Sequence, residues 1–284
     1  EYLHLHLATL YNAGLGRRLD ETFGSAAKVL QANTRKLLEV RGMSPAVARR
    51  LQDPGTGARA CSEWKLCQSA GVNLLTISRA SCLAGLGDLP DMPLLLFTLG
   101  KFEPEDSTAI GIVGSRKPTP YSLRQAGRFS GELAEIGATI ISGLARGVDA
   151  SAHRAAIEGG GRTIAVLGSG LQRIYPAENR ELAGRLLRES SGALLSEFPC
   201  SMQPRAYHFP QRNRLISALS RVLLVIQAGR KSGSLTTARW ALEQGRDLFV
   251  LPSRVDEAHN QGGLDLLRDG ASVATWPDDL LYAA

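Results

Sequence analysis

The hydrophobic pattern of the chain changes near residue 108. From there onward, short apolar runs rich in β-branched residues alternate with longer stretches in which apolar residues recur at helical spacing. The short runs are continuously apolar, which is typical of strands covered on both faces of a sheet. Strands that alternate with helices form a parallel sheet, so the pattern predicts an α/β, Rossmann-like domain flanked by helices. The runs are AIGIV, ATIIS, TIAVL, ALLSE, VLLVI and LFVL.

Residues 1–85 show helical spacing in short pieces separated by small-residue turns. Around Gly42 one helix ends in a tight turn, and Ser44 precedes Pro45 at the first position of the next helix. This pattern indicates a small all-helical domain of the SAM-like or helix–hairpin–helix type. Such a domain can bind a nucleic-acid backbone or can be a bundle without a ligand, and the sequence leaves both readings open.

An acidic segment at 86–107 connects the two parts. It contains one apolar run, residues 94–99, which we expect to be the first strand. Prolines at Pro90, Pro93 and Pro104 interrupt helix on both sides of that run. We therefore predict a helical domain at 1–85, a connector with the first strand at 86–107 and a Rossmann-like DNA-binding domain at 108–284.

The composition favours a folded protein without membrane contact. Of 284 residues, 44% are hydrophobic and 21% are charged, which is enough to form a core and argues against disorder. No apolar run approaches the roughly 20 residues that cross a bilayer. The cysteines form no Cys-x-x-Cys pair and no metal-ligand spacing, so we expect reduced thiols, a cytoplasmic protein and no metal or cofactor. They are Cys61, Cys67, Cys82 and Cys200.

The net charge of +6 and the isoelectric point of about 9.4 favour a polyanionic partner. In open parallel sheets, ligands bind beyond the carboxyl ends of the strands. Glycines, hydroxyls and basic side chains follow the predicted strands there, and these residues are the predicted binding site. They are Gly114, Ser115, Arg116, Lys117, Arg146, Gly168, Ser169, Gly170, Arg205, His208, Phe209, Arg212, Asn213, Arg214, Lys231, Ser232, Gly233 and Ser234.

These residue types suit phosphate groups. Glycine lets the backbone approach an anion closely, and the guanidinium fork of arginine matches phosphate. A dinucleotide site fits poorly, because Arg173 stands where the third glycine of that fingerprint belongs. A P-loop is also absent, and the stretch from Lys231 to Ser234 instead predicts an anion nest leading into a capped helix.

The stretch YHFPQRNR adds aromatic residues to the basic ones. Single-stranded nucleic acid is bound by basic grooves with aromatic side chains on which bases stack. Phe209 can serve as such a platform or can fill the core under its loop, and the sequence leaves both open. We expect Arg212 and Arg214 to hold phosphates or to hold the groove that receives them, and Asn213 to tie the loop or reach a base edge.

Catalytic signals are weak. Asp149 and His153 share one helix face at i,i+4 spacing, which favours a structural hydrogen bond over catalysis because no nucleophile accompanies them. Glu197 ends a strand and is expected to orient arginines at that sheet edge. The prediction is a binding protein and not an enzyme.

Six sequence blocks lie in order between about residues 90 and 275: IVGSRKPTPY, ISGLARGVDASAHRAA, TIAVLGSGLQRIYPAEN, LLSEFP, HFPQRNRLISALS and AGRKSGSLTTARWALEQGRDLFVLP. Together they resemble the DNA-processing protein A family (DprA, also called Smf). The resemblance implies a homodimer that binds and protects incoming single-stranded DNA and loads the RecA recombinase onto it in natural transformation. Ser253 and Leu264 stand where the family pattern usually has Gly and Asn.

The resemblance also assigns residues. The family's Gly-Ser-Arg arginine corresponds to Arg116, and the basic residue before its Phe-Pro-x-Arg-Asn-Arg block to Arg205. The block itself begins at Phe209, and its nest begins at Lys231. One alternative is a Rossmann-like nucleotide phosphoribohydrolase acting on a small phosphorylated ligand, although its Pro-Gly-Gly-x-Gly-Thr-x-x-Glu signature is missing. Another is a protein-interaction scaffold with a vestigial anion site.

Overall fold

The structure combines an N-terminal helical region with a mixed, mostly parallel sheet covered by helices, and the predicted fold class is thereby confirmed. The computed structural model describes residues 1–76, 83, 85–87, 89–103, 106, 108–190 and 192–281.

The helical region packs around its own apolar core, which includes Leu5, Leu19 and Leu37. The predicted turn and cap are confirmed: Gly42 has a φ of +86°, and the Ser44 hydroxyl accepts a hydrogen bond from the amide of the third helical residue. The helices are α1 (Tyr2–Ala8), α2 (Ala13–Phe23), α3 (Ala26–Gln31), α4 (Thr34–Leu38), α5 (Pro45–Gln52) and α6 (Pro54–Ser69).

Two antiparallel strands follow α6, and the first lies in the segment that we expected to be helical. Strand β1 (Asn73–Thr76) pairs with β2 (Leu95–Gly100), which in turn pairs with β6 (Ala193–Ser196). The strand expected at 94–99 is thus β2, displaced by one residue. Cys82 and Pro104 lie outside the described residues, and the domain boundary at 86–107 stays a prediction.

The other strand pairs of the sheet are parallel, as the continuous apolar runs predict. Across the sheet the order is β1-β2-β6-β5-β4-β3-β7-β8-β9. The remaining strands are β3 (Ile110–Val113), β4 (Ile140–Ser142), β5 (Thr163–Leu167), β6 (Ala193–Ser196), β7 (Val222–Val225), β8 (Asp247–Val250) and β9 (Ser272–Val273).

Helices cover both faces of the sheet. In β7, Leu223 and Val225 join one apolar cluster, whereas Val222 and Leu224 join the cluster on the opposite face. A strand buried in this way has no polar face, which explains its uninterrupted apolar sequence. The helices are α7 (Pro120–Glu135), α8 (Val148–Glu158), α9 (Arg180–Glu189), α10 (His208–Leu219), α11 (Ser234–Glu243), α12 (Gln261–Arg268) and α13 (Asp278–Leu281), with 3-10 turns at Ala177–Asn179 and Ala258–Asn260.

The strand order reverses at β3. From β3 the chain builds the sheet outward through β4, β5 and β6, and it then returns to place β7 on the other side of β3. The loops that follow β3 and β7 therefore leave the sheet in different directions and open a crevice between them. None of the helices in the described part of the chain is long and apolar enough to cross a membrane.

His153 on α8 is fully buried and does not pair with Asp149, so the expected hydrogen bond between these two residues is wrong. Its Nδ1 lies 2.7 Å from the hydroxyl of Thr163, which itself donates to the carbonyl of Ile140. The Nδ1–H must therefore donate, and Nε2 carries no proton and has no partner among the described residues. Burial lowers the pKa of His153 to about 3.

We predict that His153 makes folding sensitive to mild acid. His153 takes up a proton near pH 6.5 in the unfolded chain but only near pH 3 in the folded chain. The free energy of unfolding is therefore highest above pH 6.5 and decreases as the pH falls below that value. At pH 5 the loss is about 2 kcal/mol. Urea unfolding of wild type and His153→Asn at pH 7 and pH 5 measures it, because Asn can donate to Thr163 without titrating.

The variant should lose less stability than wild type between the two pH values. His6, whose pKa burial lowers to about 4, contributes the same trend in both proteins and cancels in the comparison. An equal pH dependence of the two proteins would contradict the assignment of a neutral His153.

Candidate anion-binding groove at the sheet edge

An open groove of about 890 Å³ lies at the strand-order reversal. It is lined by the loops after β3 and β7, by the segment before α10 and by the first turns of α10. We call it the basic groove, because Arg116, Lys117, Arg205 and Lys231 on its lining are all exposed cations. Asp149 is the one carboxylate among its described lining residues. The groove therefore has the charge that a phosphate chain requires.

The loop after β3 presents Arg116 to solvent. A side chain at Gly114 would meet Val148 of α8 at 2.7 Å, so only glycine allows the loop to pass this close to the helix. The carbonyl of Ser115 accepts a hydrogen bond from the amide of Val148, and its hydroxyl accepts one from the amide of Lys117. These bonds fix the loop and leave both of its basic side chains free to face the groove.

Phe209 forms part of the groove floor. Its ring packs on one side against the backbone of Gly168, where a Cβ would lie 2.8 Å from the ring. The guanidinium carbon of Arg116 lies 5.4 Å from the ring centroid, and the Tyr175 ring lies 5.5 Å away. The ring is half-buried and combines both expected roles: it packs against the loop below and keeps an aromatic surface beside a cation.

The loop after β7 differs from the predicted capped nest. Gly233 is the N-cap of α11 and offers no capping side chain. Instead, the amide of Ser234 donates to the hydroxyl of Ser232, and the two hydroxyls lie 2.7 Å apart. The carbonyl of Gly233 accepts a hydrogen bond from the Asn213 side chain at 3.1 Å. Asn213 thus ties this loop to α10, which is one of the two roles considered for it.

The side chain of Arg212 is buried at the base of the groove and binds the groove's own backbone, which is one of the two roles considered for it. Its contact with a phosphate stays a prediction. One of its terminal nitrogens donates to the carbonyl of Gly143 at 2.7 Å and also to that of Val166. A Cβ at Gly143 would lie 2.5 Å from the guanidinium, so a side chain at this position would displace Arg212. Burial lowers the pKa of Arg212 to about 10, although the nearby Asp149 carboxylate counteracts part of that shift.

Arg214 is not among the described residues that line the groove, so its expected contact with a phosphate is not supported. Its guanidinium is 2% exposed and lies 2.7 Å from carboxylate oxygens of both Glu197 and Asp91. Because this guanidinium is buried and paired with two carboxylates, it presents no charge to solvent, and removing it would leave Glu197 buried without a partner. The expected role of Glu197 in orienting an arginine is confirmed by this pair.

The predicted residues Gly168, Ser169, Gly170 and His208 support the groove from below and are buried. The carbonyl of Ser169 accepts from the Ser196 hydroxyl, and His208 Nδ1 lies 3.2 Å from the carbonyl of Gly168. A side chain at Gly170 would collide with the carbonyl groups of the loop after β6. None of the four lines the basic groove, so their expected contact with DNA is not supported.

Arg146 and Arg205 remain exposed, but their surroundings differ. Arg205 lines the groove and donates to the Tyr207 hydroxyl at 2.9 Å. Arg146 lines a small side cavity that it shares with Arg116. Both of its donating nitrogens lie 2.7 Å from the Glu178 carboxylate, so a phosphate has to compete with this ion pair.

Sequence reasoning missed two polar side chains that hold the groove walls together. The Gln227 side chain accepts from the amide of Thr119 and so joins the loops after β7 and β3. Asn260 is fully buried, accepts from the amide of Ala228 and donates to the hydroxyl of Ser253. Gln227 directly follows an apolar strand, and this isolated polar residue was the available signal.

The sequence of the chain is similar to those of known DNA-processing proteins. The model of a family described as DNA recombination-mediator protein A matches residues 73–284. Protein Smf of Escherichia coli strain K12 is 47% identical over 191 residues, which are 67% of this chain and 51% of that protein. DNA processing protein DprA of Bacillus subtilis strain 168 is 39% identical over 211 residues, which are 74% of this chain and 70% of that protein. The chain thus spans about half the length of the E. coli relative.

Two solved structures extend the agreement to three dimensions. The X-ray structure of DNA processing protein A from Streptococcus pneumoniae has a TM-score of 0.82 at 30% identity and covers 98% of this chain and 95% of its own. DNA processing protein A from Helicobacter pylori, solved for its single-stranded DNA binding mode, has a TM-score of 0.66 at 33% identity and covers 74% and 94%. The resemblance inferred from the sequence blocks is confirmed.

We predict that Arg214→Ala destabilises the fold, because it leaves the fully buried Glu197 without its cation. Breaking a buried ion pair costs about 3–5 kcal/mol of unfolding free energy. Urea unfolding measures the loss, and Arg230→Ala is the control, since Arg230 forms its ion pair with Asp265 in solvent and should leave stability unchanged. Equal stability of the two variants would contradict a structural role for Arg214.

Proposed function

The chain belongs to the DNA recombination-mediator protein A family, and we propose that it binds single-stranded DNA along the basic groove. The observation that carries the proposal is the position of Arg116, exposed at the strand-order reversal and beside the Phe209 ring. A cation next to an aromatic surface can hold a phosphate while a neighbouring base stacks, which is how strand-binding grooves work.

The other exposed cations extend this site into a track. Lys117 continues the β3 loop, while Arg205 and Lys231 stand on the segments that border the groove from α10 and β7. Neutralising phosphates with such side chains releases counterions, so affinity should fall steeply with salt. Contacts of this kind carry little sequence information, and we expect weak sequence preference.

The buried polar network supports binding by keeping the track in place. Arg212 fixes the ends of β4 and β5, Asn213 fixes the β7 loop, and Gln227 joins that loop to the segment after β3. A groove whose walls are already positioned loses less conformational entropy when a ligand binds. The buried arginine and amides therefore contribute to affinity by holding the groove walls in position.

The finer role of the chain follows from its family resemblance. We propose that the chain protects incoming single-stranded DNA and loads the RecA recombinase onto it in the cytoplasm during natural transformation, acting as a homodimer and not as an enzyme. Recombinase loading can be measured as faster RecA ATP hydrolysis on DNA already coated with single-strand-binding protein. Light scattering after gel filtration measures the homodimer.

A hydrolase acting on a small phosphorylated ligand is less favoured by the groove. Asp149, the one carboxylate among its described lining residues, accepts hydrogen bonds from the amides of Gly143 and Ala145. Burial raises its pKa, and Arg212 counteracts that shift. A carboxylate used in this way orders the β4 loop and is poorly placed to activate water. Turnover of nucleoside monophosphates would favour the hydrolase instead.

We predict that Arg116→Ala weakens binding of labelled oligo-dT at least tenfold, measured by fluorescence anisotropy. The slope of log K against log salt should also become shallower by about 0.7, the value for one lost phosphate contact on a single strand. Arg185→Ala is the matched control, because Arg185 lies on α9 outside the groove lining and pairs with Glu189. Wild-type affinity of Arg116→Ala would place the DNA elsewhere.

We predict that Phe209→Leu weakens binding without changing its salt dependence, unlike Arg116→Ala. Loss of a stacking partner costs about 1–3 kcal/mol of binding free energy, but no phosphate contact disappears. We therefore expect weaker binding with an unchanged salt slope in the same anisotropy titration. A change of slope as large as that of Arg116→Ala would show that Phe209 acts only by positioning the arginine.

A further inference from the structure

Three potential metal ligands meet where the helical region contacts the sheet. Glu63 and Cys67 are one turn apart on α6, and Cys200 lies in the loop after β6. All three are buried, the two sulfurs lie 3.4 Å apart, and the ligand atoms are all within 4.8 Å of one another. Sequence spacing could not reveal this cluster, because 133 positions separate the two cysteines.

The carboxylate of Glu63 is buried and forms no ion pair with any described residue. Glu63 is only 8% exposed, and among the described residues no arginine, lysine or histidine lies within ion-pair distance of it. Its hydrogen bonds come from the amide and the hydroxyl of Ser201. Burying an ionised carboxylate without an opposite charge is costly, so a cation would relieve this site.

The geometry suits a metal ion better than a disulfide. Two thiolates at 2.3 Å from a tetrahedral zinc ion lie about 3.8 Å apart, whereas bonded sulfurs lie about 2.05 Å apart. The observed 3.4 Å between Cys67 and Cys200 is much nearer to the first value. Two sulfurs and one carboxylate oxygen are also a donor set that zinc accepts.

We propose that Glu63, Cys67 and Cys200 bind one zinc ion. Binding displaces the thiol protons to solvent, and a water molecule completes the tetrahedron. The ion connects α6 to the loop after β6, and that loop leads to Arg205 of the basic groove. The metal is thus a structural link between the helical region and the sheet, and it is independent of the proposed DNA binding.

The test starts with the whole chain under a phosphine reductant. We expect one equivalent of zinc by elemental analysis after purification or after adding zinc sulfate and desalting. Cobalt(II) titration should give d–d absorption typical of a tetrahedral site together with a sulfur-to-cobalt charge-transfer band, saturating at one equivalent. Adding zinc should bleach both features and should raise the melting temperature relative to chelator-treated protein.

Cys61 provides the matched control, because it is an exposed cysteine on the same helix. Cobalt absorption should persist in Cys61→Ser and disappear in Cys67→Ser and Cys200→Ser. Glu63→Gln removes the charge while keeping the side-chain volume, and it should weaken cobalt binding at least tenfold. Far-UV circular dichroism confirms that each variant is folded, and the wild-type titration decides the question if a cysteine variant is not.

Two results would overturn the proposal. The first is a failure of the reduced wild-type protein to take up one equivalent of cobalt or zinc, or a cobalt spectrum that is unchanged in Cys67→Ser. The second is oxidation of the metal-free protein by glutathione disulfide to a Cys67–Cys200 disulfide, which lowers the protein mass by two units, followed by a failure to bind metal after the disulfide is reduced again. Oligo-dT binding is measured separately, so failure here leaves the DNA proposal standing.

Discussion

The basic groove depends on one buried guanidinium. Arg212 fastens α10 to the ends of two strands through the carbonyls of Gly143 and Val166. Gly143 directly follows β4 and Val166 is the penultimate residue of β5, so one guanidinium reaches the carboxyl ends of two neighbouring strands. An arginine can do this because it can donate to several acceptors at once. Because the same helix supplies Phe209 and Asn213, this anchor sets the positions of the aromatic floor and of the β7 loop.

Consecutive positions on a helix point about 100° apart, and the three residues of the Arg-Asn-Arg stretch consequently act in three places. Arg212 points under the sheet edge, Asn213 reaches Gly233, and Arg214 pairs with Glu197 on the far side. A sequence block that is uniformly basic and polar thus forms a scaffold, while the cations left in solvent, such as Arg116, stand on loops. Composition alone does not separate these two classes.

Hydrophobic patterning was sufficient for the parallel sheet, the Ser44 cap and the edge at which the basic residues collect, because burial and local backbone chemistry set all three. It failed for β1, a short strand that follows a helix directly and depends on pairing with β2. It also failed to place Arg214, since the distance between a charge and its partner appears only after folding. The start of α11 differs from the predicted capped nest for a similar reason. The carbonyl of Gly233 accepts a hydrogen bond from Asn213, which lies twenty residues earlier in the chain.

The described sheet ends on very short strands, four residues in β1 at one side and two in β9 at the other. Little unpaired backbone is therefore available for a strand of another molecule, which limits edge-to-edge aggregation. Along the described strands, a second copy of the chain would find no long ladder to extend. Self-association would have to rely on side chains from helices and loops, where individual substitutions can tune its strength and leave the sheet unchanged.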